Sequence, residues 1–256
     1  MEKGNVTLEV ENNIGTITFT HPQSNTLPSQ LLELLTHTLT NAGKDDSIKV
    51  IILKSGGNKA FCAGANFDEL ISISDFEMGH NFFLGFANVI NAIRLCPKLV
   101  IGRVQGKTVG GGVGLAAAAD YCLACTSAMI KLSELTIGIG PFVIAPVVER
   151  KIGFSALSQL TINATEWKNP EWAKSKGLYA EVYETTDELD EAVNKLAVQL
   201  SRSNPEAMRS LKKMFWKNTE NWNELLSEQA AISGKLVLSD FSKKAIENFK
   251  SKMVKK

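Results

Sequence analysis

Very little in this sequence is extreme, and each missing extreme removes a class of function. Its 28 Lys and Arg stand against 27 Asp and Glu, a formal net charge of +1. A chain that grips nucleic acid by neutralising phosphates carries a basic excess, and a solvating disordered tail carries an excess of one sign. Neither holds here. Long apolar runs are also missing: no window approaches the about 18 uninterrupted apolar residues of a membrane span, and the most apolar stretch, residues 109–119, is short and rich in Gly and Ala. The first residues, MEKGNV, lack an apolar signal core. These absences predict a soluble cytoplasmic chain with no nucleic-acid or membrane partner. Cysteine is scarce, four residues in all, too few for a disulfide framework and in keeping with a reducing compartment. Cys122 and Cys125 have the CxxC spacing, but no further Cys follows and His21, His37 and His80 lie far upstream. They read as buried strand thiols, and no metal is expected.

What is present is ordinary globular composition, 44% hydrophobic and 21% charged, long enough for one large domain or a domain with an appendage. Residues 6–10 and 14–19 alternate apolar with polar or small side chains and predict a β-hairpin. Leu31, Leu32, Leu34, Leu35 and Leu39 recur at helical spacing, with Gly43 as a stop. Residues 50–53 and 99–104 read as strands separated by an amphipathic helix at 75–95, and residues 121–124 and 129–132 as further strands. From Pro141 onward the segments read as helices: 143–151, 155–160, 170–176, 188–202, 205–217 and 222–250. An α/β part followed by a helical part is the expected organisation.

The glycine-rich segment around residue 110 fits none of the familiar phosphate motifs. A Walker A loop ending at Gly106 needs Gly where Ile101 stands, and a dinucleotide fingerprint starting at Gly110 needs Gly at Leu115. Gly138 and Gly140 fail in the same way at Val143, and Gly153-Phe-Ser155 lacks the closing Gly of an esterase elbow. Gly110, Gly111 and Gly112 at a strand-to-helix junction nevertheless allow close backbone approach, and the first free N–H groups of a helix favour negative charge. The run is a candidate oxyanion donor; the alternative is close helix packing. A second small-residue loop, 61–67, follows the strand at 50–53. One amide from each loop would hold a carbonyl oxygen that becomes an enolate, a donor of this kind being worth about 10²–10³ in rate.

At these residues the chain resembles the crotonase, or enoyl-CoA hydratase/isomerase, superfamily. The resemblance is carried by residues 50–55 (VIILKS), 60–70 (AFCAGANFDEL), 98–106 (KLVIGRVQG), 110–116 (GGGVGLA), Asp120, 132–138 (LSELTIG) and Pro141. It implies a spiral of ββα units as an acyl-CoA-binding core over residues 1–195. A helical trimerisation region over 196–256 would follow, giving homotrimers or homohexamers. It also implies an acyl-CoA thioester whose carbonyl oxygen sits between the amides of Ala65 and Gly111, with Lys59, Ala60, Ala63 and Phe67 along the CoA. CoA would enter as part of the substrate, so no separate cofactor is expected. Since overall charge is balanced, attraction for a polyanionic ester must be local, with Lys59 the nearest candidate.

Hydratases of the family typically carry two catalytic Glu. Here the first position is Gly114, and only Glu134 is present. On its own residues Glu134 is a lone carboxylate in an apolar run, where burial beside an acyl pocket would raise its pKa toward the range useful for proton transfer. The pattern at 132–146 is similar to bacterial hydratases of the methylglutaconyl-CoA type, with Phe142 and Val143 replacing the glycine-rich turn of straight-chain hydratases. The resulting expectation is hydration of a branched or carboxylated 2-enoyl-CoA. The alternatives are double-bond isomerisation by Glu134 alone and a non-catalytic acyl-CoA-binding paralogue. Placing Glu at position 114 is expected to raise crotonyl-CoA hydration if the chain is an impaired two-acid hydratase.

Overall fold

Asn12 and Asn13, at φ 52° and 64°, supply the two left-handed residues that a tight hairpin turn demands. They join β1 (Asn5–Glu11) to β2 (Ile14–Thr20) in antiparallel register, as the alternation predicts. The structure, a computed structural model, describes residues 3–254. After the hairpin come α1 (Ser29–Lys44), β3 (Val50–Ser55), β4 (Ala60–Cys62), α2 (Phe67–Ser72) and α3 (Phe76–Leu95). Next are β5 (Leu99–Val104), β6 (Lys107–Val109), α4 (Gly111–Ala118), β7 (Tyr121–Cys125) and β8 (Ile130–Lys131), and then a single 3-10 turn, Glu134–Ile137. The remainder is α5 (Ala145–Ile162), α6 (Pro170–Ser175), β9 (Glu181–Tyr183), α7 (Thr186–Ser201), α8 (Pro205–Phe215), α9 (Trp222–Leu236) and α10 (Asp240–Val254).

From β3 onward successive strands alternate between two sheets. One has the order β1-β2-β3-β5-β7-β9, parallel from β2 onward, and the other is the parallel triplet β4-β6-β8. Each circuit of the chain thus lays one strand in the large sheet and one in the small, with a helix before the next circuit. This is the expected ββα spiral. Its parallel strands are buried on both faces, which explains the uninterrupted apolar runs of β3 and β5. Cys122 and Cys125 both lie buried in β7, and burial pushes the Cys122 thiol up to about 12.

Three features differ from the sequence reading. Residues 181–183, in the stretch read as helical, form β9 and pair with β7, completing the sheet edge. The segment 222–250 is two helices, because Ser239 breaks it and accepts the Ser242 N–H at 3.2 Å as the cap of α10. The division at 195/196 falls inside α7, whose buried Leu189, Val193 and Ala197 pack on Val50, Ile52 and Leu123 of the large sheet. By contrast, the two short helices read at 143–151 and 155–160 are α5, bent at Gly153 (φ 79°).

The last helices are fastened to the spiral in two ways. α3 and α9 touch backbone to backbone: a Cβ on Gly79 would stand 2.8 Å from Gly234 O. Asp120, just before β7, lies at the centre of a buried polar knot. Its Oδ2 accepts Lys212 Nζ at 2.6 Å and Val100 N–H at 2.8 Å, and its Oδ1 accepts Trp216 Nε1 at 2.9 Å. The Asp120 and Lys212 side chains are only 4% and 3% exposed, so removing one partner leaves an uncompensated buried charge. Asp120→Ala is therefore expected to cost about 3–5 kcal/mol, read as a thermal midpoint lower by roughly 10 °C.

Candidate active site

Two peptide units at adjacent strand ends have their carbonyls occupied by the fold and their N–H groups left over. After β4 the chain turns at Gly64 (φ 86°), whose carbonyl accepts the Leu27 N–H at 2.8 Å in an isolated parallel bridge. A trans peptide points its C=O and N–H in opposite directions. The Ala65 N–H is thereby turned away from Leu27, into a cleft that Ala65 lines. After β6 the chain turns at Gly110 (φ 54°, ψ −120°), a conformation closed to residues with a Cβ. The Gly110 carbonyl takes the N–H groups of Val113 at 2.8 Å and Gly114 at 3.3 Å, so the Gly111 N–H faces out of the α4 N-terminus. The two turns are in contact: a Cβ on Gly64 would lie 3.8 Å from Gly111 N. The site has two amide donors on one side of one cleft.

The three glycines have separate causes. Gly110 is needed for its backbone angles. Gly111 and Gly112 are needed for space, since a Cβ on Gly111 would run into the Phe86 ring and one on Gly112 would lie 2.6 Å from Cys62 Cβ. Gly112 serves close packing alone, whereas Gly111 both packs on Phe86 and borders the cleft.

Glu134 opens the 3-10 turn beyond β8, and its carboxylate lies against Gly110, where a Cβ would come within 2.8 Å of Oε1. The residue as a whole is half-buried, but Oε2 is buried with no hydrogen-bond partner. Desolvation raises the carboxyl from its usual 4.5 to about 7, opposed only by a bond from its own backbone amide. The walls are apolar, formed by Leu70, Phe83, Phe86, Ile137, Phe142 and Ile144, around about 560 Å³ of empty space that includes the open mouth. Ser133 and Ser233 add hydroxyls, and among the described residues Glu134 is the one acidic or basic side chain that lines the cleft.

Of the residues singled out from the sequence, Ala63, Ala65, Phe67, Gly111 and Glu134 line this cleft. Lys59 is exposed and Ala60 half-buried, at the start of β4 and outside the lining, with Ala60 in register with Lys107 of β6. Gly114 is buried on α4, where a Cβ would stand 2.5 Å from Ile144 Cγ2 and 2.9 Å from Ile144 Cβ. The space for a first acid is filled by Ile144. This corrects the expectation for a single Glu at position 114, which has no room unless Ile144 is cut back. Sequence reasoning missed Ser233, brought to the cleft by α9, and the turn at 21–26 that supports Gly64. The signals were the paired Gly79 and Gly234, which permit the helix contact, and Asn25, whose buried side chain spans two loops.

Comparison with known proteins agrees with this geometry. Short-chain-enoyl-CoA hydratase of Clostridium acetobutylicum is 29% identical over 211 residues, 82% of this chain and 80% of that protein. The mitochondrial methylglutaconyl-CoA hydratase of Homo sapiens is 33% identical over 192 residues, 73% of this chain and 56% of that protein. Isomerases are also among the matches. The crystal structure of an enoyl-CoA hydratase from Bacillus halodurans shares the fold, with a TM-score of 0.88 at 23% identity over 95% of this chain and 99% of that one. The profile of the enoyl-CoA hydratase/isomerase family matches residues 9–254, and the chain belongs to that family.

Proposed function

We propose that the protein hydrates a 2-enoyl-CoA thioester, with Glu134 as the single acid and base. The observation that carries this reading is the buried, unpartnered Oε2 of Glu134 in a cleft that Ala65 and Gly111 also line. The thioester oxygen lies between the two N–H groups. Glu134 takes a proton from water as the oxygen of that water bonds to C3, and the C2–C3 π electrons move onto the thioester as an enolate. The two donors stabilise the negative charge where it develops. The protonated Glu134 then returns the same proton to C2, so one water is added and the carboxylate is regenerated. A carboxyl near neutrality suits both halves of this exchange. The 29% and 33% identities to two hydratases support addition of water, and the apolar walls support an acyl group with aliphatic bulk.

Isomerisation is the second reading, favoured by Ile144 in the space beside Gly114. One carboxylate can take a proton from C2 and return it to C4, or the reverse, through a dienolate held by the same two donors, without water. Exposed Phe154 and Ile162 on α5, at 72% and 76%, support the association of copies implied by the resemblance.

Incubation with a panel of enoyl-CoA esters separates the readings. Loss of conjugated absorbance with a mass gain of one water is expected; an unchanged mass with a moved double bond establishes isomerisation, and no change with any ester removes both. Glu134→Gln should lower turnover by about 10²–10⁴ while the CoA ester still binds, measured by stopped assay and calorimetry; near-normal turnover would sink the assignment. Because Glu134 acts first as a base, kcat/KM should rise with pH through a limb at about 7, and Glu134→Gln should abolish that limb. The same raised pKa means that the native state binds the proton more tightly, so stability falls as pH rises from about 4.5 to about 7. Glu134→Gln should match wild type in acid and exceed it at about pH 8 by up to about 3 kcal/mol, read by denaturant melts.

A further inference from the structure

The Ala65 donor is aimed by a bond made outside the cleft. Leu27 N–H holds Gly64 O at 2.8 Å, and that oxygen belongs to the same rigid peptide plane as Ala65 N–H. Whatever fixes Leu27 fixes the donor. Leu27 leaves a turn in which Ser24 and Asn25 both adopt left-handed angles, φ 55° and 56°. The Asn25 side chain is buried and works in two directions. Its Oδ1 accepts the His21 N–H at 2.9 Å and closes the turn, while Nδ2 donates to Gly56 O at 2.8 Å and to Ala60 O at 2.9 Å. The tie thus runs from the turn to the segment joining β3 and β4. Ala63 N–H answers with a bond to Ser24 O at 3.1 Å. Fully buried Gln105, beyond β5, grips the same segment by donating to Gly57 O and Ala60 O, each at 3.1 Å.

Asparagine has the chemistry for this place. It tolerates the left-handed region and carries one acceptor and two donors on one planar group. We propose that Asn25 is a positioning residue for the oxyanion hole. Its amide holds the 21–26 turn against residues 56–60 at the separation at which Leu27 orients the Gly64–Ala65 peptide. This inference rests on the reading of Ala65 and Gly111 as thioester donors.

Two variants test it in the full-length protein. Asn25→Gly keeps the backbone angles and removes every side-chain bond; Asn25→Asp keeps shape and acceptor but sets an oxygen against the Gly56 and Ala60 carbonyls. The probe is a saturated acyl-CoA with an isotope-labelled thioester carbonyl, whose stretching frequency falls when the two donors polarise it. In both variants kcat should drop about 10–100-fold for a sub-ångström misplacement, with KM within about threefold. The carbonyl frequency should move back toward its solution value, and the pH limb of Glu134 should stay in place. Wild-type frequency and turnover in either folded variant overturn the proposal. So does a turnover loss with the carbonyl still fully polarised, and so does failure of both variants to fold, which would assign Asn25 to stability alone. A wild-type protein that binds the ester without lowering its carbonyl frequency removes the oxyanion reading itself, and this inference with it.

Discussion

The active cleft depends on a constraint of the peptide group: its two polar ends cannot turn independently. At Gly64–Ala65 and at Gly110–Gly111 the carbonyl is taken up by the Leu27 N–H or by the first turn of α4. The amide hydrogen opposite has only one direction left. Positive-φ glycines at 64 and 110 bring both planes to one wall, and parallel sheet connections set those glycines side by side. The polar groups at this wall are backbone amides, and the side chains around them are mostly apolar.

Apolar walls have an electrostatic consequence. Glu134 is held in a poorly solvated place with one oxygen unpaired, and its proton is retained to about neutral pH. In a solvated cleft the same residue would be an ordinary carboxylate, ionised well below neutrality. The absence of a Cβ at Gly110 lets the carboxylate lie against the turn, since any larger residue would collide with Glu134 Oε1. One glycine therefore has two structural uses, turning the Gly111 N–H out of α4 and making room for the Glu134 side chain.

Legibility in the sequence followed the range of the interactions. The hairpin, the strands 50–53 and 99–104 and the helix 75–95 could be read because alternation and helical periodicity are local. The glycine run and Glu134 could be read because their order along the chain is itself a pattern. The three-residue strand β9 could not, since its pairing with β7 is decided by the sheet edge rather than by its own composition. Trp222 to Val254 kept helical composition across its break, and only the cap at Ser239 marked it. The occupant of the space beside Gly114 was likewise hidden, because Ile144 reaches it from thirty positions downstream. Lys59 was read from the resemblance and from its nearness to the second loop, and it stands exposed outside the cleft lining.

The meeting of Gly79 with Gly234 bears on more than the attachment of the last helices. α3 also carries Phe83 and Phe86, and α9 carries Ser233, all facing the cleft from the two helices that this contact brings together. Two residues outside the lining therefore act as the gauge of its bore. A single methyl at either would drive the helices apart and widen the acyl compartment. The width of the cleft is thus set in part at a seam that contributes no residue to its lining.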